Sequence, residues 1–370
     1  MKLGHFAALG PLCGVCQQEG NEAPLVLGRV LATAGEDDVL EGILLCSRCG
    51  REYPIIDGIP LLIPALRAYL AQNVLQVVQR EDLSDVIESL LGDCCGPGSA
   101  YDQTRQHLSS YVHGHYGDLD PEETNRPADT EGSGRLPLLH ILETGLAHVA
   151  ALPAGPLLDA GCAVGRSSFG LAAAFSSGAE AAGRLVLGID LNFSMLRVAS
   201  RVLRTGQVRY ARRRVGLVYD RRTFPVCLAG AERVDFWACD AQALPFPTGT
   251  FALAASLNLL DCVASPYAHL LSLGRVLQVG GYAILATPYD WSPGATPIEG
   301  WVGGHSQRGP EAGSSEQALR ALLGVGGHPA ALPGLCLAAE VLSLPWPVRL
   351  HDRGTLHYRV HLAVVERTAA

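Results

Sequence analysis

The chain has 370 residues, which at roughly 150 residues per domain suggests two domains. Hydrophobic residues make up 48% and charged ones 17%, which excludes a wholly disordered chain because there is ample apolar surface for a core. A formal charge of −8 excludes a whole-molecule attraction to nucleic acid. With no apolar run of ~18 residues and no signal-peptide pattern in MKLGHFAALGPLCGVC, the reading is a cytoplasmic chain without membrane contact.

Residues 1–65 form a small unit with two CxxC pairs, Cys13 with Cys16 and Cys46 with Cys49. In a reducing compartment such pairs read as metal thiolates rather than disulfides, and two of them supply the four tetrahedral ligands of a structural zinc. A metal would replace the core that a unit this short can hardly build. The text CSRCGREYPIIDGIPLLIP, Cys46 to Pro64, resembles the small zinc-ribbon family that activates RNA and protein methyltransferases. That resemblance implies a fused partner module.

Residues 66–135 read as a helical segment and linker. Apolar residues recur every three or four positions over 66–92, which predicts amphipathic helix. Cys94 to Gly98 breaks it, and the polar DLDPEETNRPADTEGSGR reads as a loop.

From 136 to 370 short apolar runs alternate with helical segments, the pattern of an α/β doubly wound sheet. Strands are predicted at Pro156–Asp159, Leu185–Asp190, Val234–Cys239, Phe251–Asn258 and Tyr282–Thr287. Two final runs, Leu337–Leu344 and His357–Glu366, have no helix between them and predict a terminal antiparallel pair, making seven strands in all.

LLDAGCAVGRSSFG, from Leu157, reads as strand, glycine-bearing turn and helix. Gly161 and Gly165 let backbone amides approach a ligand, and the helix N-terminus faces a carboxylate placed there. The G-x-G-x-x-G spacing of dinucleotide enzymes is missing. Asp190, at the end of LVLGID, stands where an acid takes both hydroxyls of a ribose, and Asp240 with the Ala241 amide stands where adenine is read.

Together DAGCAVG, GID, CDA and LGRVLQVGGY resemble the class I S-adenosylmethionine-dependent methyltransferases over residues 136–370. The resemblance implies that Gly161 faces the methionine part, Asp190 the ribose and Asp240 the adenine. Asp159, Gly165, Ala241 and Asn258 complete the predicted cofactor set, and Ala163 stands where many members have glycine.

The acceptor side follows the fourth and fifth strands. The fourth ends in Asn258-Leu259-Leu260-Asp261, not the N-P-P-Y of amino-methylating nucleic-acid and glutamine enzymes. After the fifth, a long segment carries Tyr289, Trp291, Trp301 and His305, side chains that suit an aromatic or cationic substrate. GCAVGRSSF, N-L-L-D, P-Y-x-W, W-x-G-G and LPWPVRLHDRG resemble the methyltransferase half of ovothiol synthase, and more distantly the carnosine N-methyltransferases. This implies an imidazole-bearing small molecule and catalytic roles for Asp261, Tyr289 and His305. Asp261 either fixes an imidazole tautomer or caps the helix predicted over Pro266–Leu277. The chain has no counterpart of the iron-dependent, sulfur-inserting half of that enzyme.

Between Arg197 and Arg222 stand nine arginines and one acid, a patch that suits an anionic substrate or RNA phosphates. The leading expectation is a small-molecule methyltransferase, with a closed pocket at Asp261, Tyr289 and Trp291. An RNA or protein methyltransferase would instead show an open cleft continuous with the arginines. A third reading is a non-catalytic subunit with a cofactor fold.

Overall fold

The computed structural model describes residues 1–79, 83–124, 136–176, 184–324 and 327–369. Its centre is five parallel strands: β5 (Leu157–Ala160), β6 (Val186–Asp190), β9 (Val234–Cys239), β10 (Phe251–Leu257) and β11 (Leu277–Thr287). Every residue of β5, β9 and β10 is buried, as strands covered on both faces must be, which is why they read as continuous apolar runs. Two long antiparallel strands, β12 (Leu335–His351) and β13 (Gly354–Arg367), close one side through β13 against β11. The order β9-β6-β5-β10-β11-β13-β12 contains all seven predicted strands, with the antiparallel pair at the end.

The N-terminal unit does not stand apart from this sheet. It contributes β1 (Leu25–Ala34), β2 (Asp38–Cys46), β3 (Glu52–Ile56) and β4 (Ile59–Leu62), and β4 pairs in parallel with β9, Leu61 opposite Ala238 and Leu62 opposite Cys239. One eleven-stranded sheet results, where sequence suggests a seven-stranded sheet plus a separate ribbon. All four residues of β4 are buried, so its backbone polar groups need partners, and the open side of β9 provides them. The amides of Lys2 and Leu12 add bonds to the Asp235 carboxylate and the Pro245 carbonyl, each 2.8 Å.

The two faces of the sheet carry separate cores. Phe236 points into one, with Phe169, Leu196 and Tyr116; its neighbour Trp237 points into the other, as the period of two in a strand requires. The second core also contains Leu44, Tyr53 and Ile55 of the N-terminal unit.

The helix predicted over 66–92 is two helices, α3 (Leu66–Val78) and α4 (Asp85–Cys95), the latter ending at Gly96; residues 80–82 lie outside the described residues. The predicted loop is described only as far as residue 124, and 125–135 lie outside. Before it runs α5 (Ala100–Tyr116), which packs on a two-stranded sheet of β7 (Gln207–Val215) and β8 (Val218–Pro225). The remaining helices used below are α7 (Arg166–Ala174), α8 (Phe193–Thr205), α9 (Pro266–Val276) and α10 (Ser315–Leu322).

Candidate active site

At the carboxyl end of β5 the chain turns through Gly161, Ala163 and Gly165, with φ of 77°, 48° and 91°. Left-handed backbone is unstrained for glycine and costs an alanine about 1 kcal/mol. A Cβ on Gly165 would come within 2.7 Å of the Phe236 ring and 2.9 Å of Ala199, and one on Gly161 within 3.0 Å of Leu259. The turn is fastened to β6 by the amides of Gly161 and Cys162, which both donate to the Ile189 carbonyl at 2.8 and 2.9 Å.

Asp190 ends β6 beside this turn. One carboxylate oxygen accepts the Ala163 amide at 2.9 Å, the other the Asn192 amide at 2.8 Å, which leaves each oxygen a lone pair for a hydroxyl ligand. Burial pushes its pKa up against these bonds. Asp159, expected to contact the cofactor, faces inward instead. It is 1% exposed and accepts the hydroxyls of Ser167 and Ser168, both at 2.6 Å, holding α7 against β5. Burial raises its pKa to about 6, the two hydroxyls pulling down and Asp190 adding to the rise. The alternation of a short strand sends Asp159 under the turn, so it supports the site from below.

Asp240 ends β9 and accepts the Gln242 amide at 2.9 Å. The Ala241 carbonyl lies 3.2 Å from Nδ1 of His269, whose Nε2 meets Ser256 Oγ at 2.9 Å. Burial holds His269 down to about 4, so it is a neutral strut. Asn258 follows β10 with φ 54°, and its side-chain Oδ1 is buried without a partner. A buried, unsatisfied acceptor costs about 1–3 kcal/mol, and such groups mark places where a ligand or water belongs.

On the acceptor side Asp261 is 2% exposed. Its Oδ2 accepts the Asp290 amide at 2.7 Å, and its Oδ1 has only the Cys262 thiol at 3.8 Å. Burial raises its pKa. It does not cap a helix: Ser265 caps α9, accepting the Ala268 amide at 3.2 Å. Tyr289 has φ 56° and lies beside Trp291, ring centroids 6.2 Å apart, and Trp291 stacks on Trp301 at 6.0 Å. The Tyr358 hydroxyl donates to Asp290 at 2.9 Å. The structure thus brings Asp261, Tyr289 and Trp291 to the ends of β10 and β11. His305 is not among them: its side chain is exposed, one residue past Gly304, whose backbone abuts Trp291. The aromatic wall faces inward, and the turn through Gly303 and Gly304 carries His305 outward.

Two helices over this end of the sheet escape a reading of sequence motifs. From α3, the Tyr69 hydroxyl donates to the Leu191 carbonyl next to Asp190 at 2.6 Å. From α5, the Tyr116 hydroxyl donates to the Val164 carbonyl at 2.8 Å, and His115 Nδ1 accepts the Arg166 amide at 3.3 Å. Tyr111, also on α5, has its phenol raised by burial of the hydroxyl and then by Cys262, Asp190 and Asp261. A cleft of about 210 Å³ opens nearby between Gln76, His107, Asn192 and Met195. Amphipathic spacing predicts α3 but not what it covers, and the helix predicted over 66–92 stops short of α5.

The four paired cysteines converge. Their sulfurs all lie within 4.8 Å of one another, with Cys13–Cys49 and Cys16–Cys46 at 3.8 Å. A tetrahedron with sulfur about 2.3 Å from a central zinc has edges of about 3.8 Å, so the donor set and spacing fit that ion.

The arginines behave differently from the patch expected. Arg197 is buried and donates to Asp57 at 2.9 Å and to the carbonyls of Gln76 and Val77. Arg204 pairs with Asp38 at 2.9 Å, and Arg212 grips the buried Glu123 through two bonds of 2.5 and 2.9 Å. Arg213 donates to Gln106, Arg221 pairs with Asp85 and Glu88, and Arg222 with Glu122. They bind β7, β8 and α8 to α3, α4, α5 and the N-terminal unit.

The segment 158–285, about a third of the chain, matches the family described as "Methyltransferase domain". It covers the turn, Asp190, Asp240, Asn258 and Asp261. No curated protein matches the chain. Among solved structures, the chain is similar to phosphoethanolamine N-methyltransferase 2 of Haemonchus contortus in complex with S-adenosyl-L-methionine, at 19% identity and TM-score 0.31 over 49% of this chain and 33% of that one. It is similar to the YcgJ protein from Bacillus subtilis at 14% identity and TM-score 0.40, over 62% and 99% of the two chains. A complex between the Trm112 methyltransferase activator of Haloferax volcanii and the putative methyltransferase is 15% identical with TM-score 0.37, over 62% and 90%. The chain spans a third of the length of the first of these.

Proposed function

We propose that the protein is an S-adenosylmethionine-dependent methyltransferase acting on a nitrogen nucleophile of a small molecule, with a histidine-derived imidazole as the class its sequence resemblance favours. The observation that carries this reading is the turn Gly161–Gly165 with the Asp190 carboxylate beside it, inside the methyltransferase segment. The residues fit the cofactor: Asp190 retains lone pairs for ribose hydroxyls, Gly161 keeps room for the methionine part, Asp240 and Ala241 suit adenine, and Asn258 offers its unpartnered oxygen. Once bound, the cofactor supplies a methyl group already activated by its sulfonium.

The chain's own work is to orient the acceptor and exclude water. Asp261, buried with one oxygen fixed by the Asp290 amide, offers the other, met only by the Cys262 thiol, to an ammonium or amide N–H elsewhere on the acceptor and so orients it. Tyr289 and Trp291 wall an aromatic ring. The four thiolates would hold a structural zinc, all four ligand positions being filled by sulfur.

A macromolecular acceptor is the weaker reading, because the arginines meant to grip it are engaged with acids and carbonyls of the chain itself. The experiment is transfer of labelled methyl by purified protein to a panel of imidazoles, total RNA and lysate protein. Label on an imidazole is expected; label on RNA or protein alone would overturn the small-molecule reading.

A further inference from the structure

Tyr289 is one end of a chain of hydrogen bonds that no sequence motif marks. Its hydroxyl lies 2.7 Å from Nδ1 of His361 on β13, whose Nε2 lies 3.1 Å from a Glu340 oxygen on β12. Glu340 in turn meets Arg320 of α10 at 2.9–3.1 Å through both oxygens. His361 is 3% exposed. The polarity of this chain is fixed by chemistry. The Arg320 guanidinium lowers the pKa of Glu340 and holds it ionised, and a carboxylate only accepts. The neutral His361 ring must therefore carry its proton on Nε2 and accept at Nδ1, and the Tyr289 hydroxyl must donate. The phenol oxygen then has only lone pairs to offer the space beside Asp261.

We infer that His361 and Glu340 are positioning residues that commit Tyr289 to accepting a hydrogen bond, so that the site selects a methyl acceptor bearing an N–H next to its reacting nitrogen pair. This rests on the proposed methyl transfer. The acceptor nitrogen's lone pair forms the new N–C bond while the S–C pair stays on sulfur. The N–H proton passes to Tyr289 Oη, the Tyr289 proton to His361 Nδ1, and the imidazolium is balanced by Glu340. An acceptor without an N–H meets lone pairs with lone pairs and is rejected.

The groups facing this chain are Glu316 and Arg320 from α10, Glu340 from β12 and Asp261 from the end of β10.

The test has two arms. Nitrogen-15 NMR of the full chain, with His361 assigned by His361→Gln, is expected to show the Nε2–H tautomer in the neutral ring; an Nδ1–H tautomer overturns the inference whatever the substrate. In the second arm Tyr289→Phe and Glu340→Gln are expected to lower kcat/KM about 10²-fold for the N–H imidazoles the protein methylates, to leave S-adenosylhomocysteine affinity unchanged by calorimetry, and in Glu340→Gln to move the His361 nitrogen-15 signals. Wild-type rates in both variants would overturn it. If no imidazole or amine of the panel is methylated, the proposed reaction fails and the tautomer measurement still decides the polarity of Tyr289.

Discussion

The carboxylate of Asp261 accepts the backbone N–H of Asp290 at 2.7 Å, joining the ends of two adjacent parallel strands through a buried acid. Burial raises the pKa of Asp261, so the ionised form that neutral pH imposes is held at a cost to the fold. A group whose folded pKa exceeds its unfolded one favours folding at low pH and loses that contribution as pH rises through the folded value. Asp261→Asn keeps an oxygen for the Asp290 amide and removes the charge. Its Tm at pH 7.5 is expected to equal or exceed wild type, while methyl transfer falls about 10²-fold or more. A thermal melt beside a rate assay checks this; a variant that unfolds early yet keeps its specific activity would make Asp261 a structural residue.

Asp159 gives the same sign and a larger effect. Its pKa of about 6 against an ordinary 3.8 amounts to roughly 3 kcal/mol between pH 4 and pH 7. That contribution is present below about pH 4 and is lost as pH rises through 6. Asp159→Asn, still able to bond Ser167 and Ser168, should therefore gain on wild type by about that amount as pH goes from 4 to 7. Denaturant unfolding at the two pH values checks it, and a constant difference would show that Asp159 is not held in this state.

Glu123 and Arg212 form a buried two-bond ion pair, 4% and 5% exposed. Removing one partner of such a pair typically costs about 3–5 kcal/mol because the other is left charged in the interior. Glu123→Gln should lose less than that in urea, because Arg212 keeps Asp352 at 2.8 Å, and the protein should show no salt-dependent retention of total RNA. Tight, salt-sensitive RNA binding that disappears with Arg213→Gln and Arg221→Gln would reinstate the arginines as a nucleic-acid surface.

For the cysteine cluster, purified protein is expected to carry one zinc per chain by elemental analysis, released by thiol modification. Cys16→Ser or Cys46→Ser should abolish it and lower Tm. Because β4 runs from this unit into the shared sheet beside β9, the melt should remain a single transition. Zinc-free protein of unchanged Tm would leave four packed thiols.

The strands were legible from sequence where burial on both faces makes a run continuously apolar, as in FALAASL of β10. Gly161, Gly165 and Asp190 were legible because a tight turn and an acid at a strand end are local features. Contacts across long separations were not. Tyr289 meets His361 72 residues later, Arg212 meets Glu123 89 residues earlier, and no spacing rule links such pairs. Asp159 was misjudged because a strand of four residues leaves the facing of its last acid undecided. The union of β4 with β9 was hidden because a buried IPLL suits a small separate core as well as the side of a larger sheet.

The most direct measurement is calorimetric binding of S-adenosylhomocysteine to the full chain and to Asp190→Ala. Saturable one-to-one binding to wild type, weakened at least tenfold in the variant, about 1.4 kcal/mol, is the predicted result. No detectable binding to the wild-type protein, or equal affinity in both, would contradict the account.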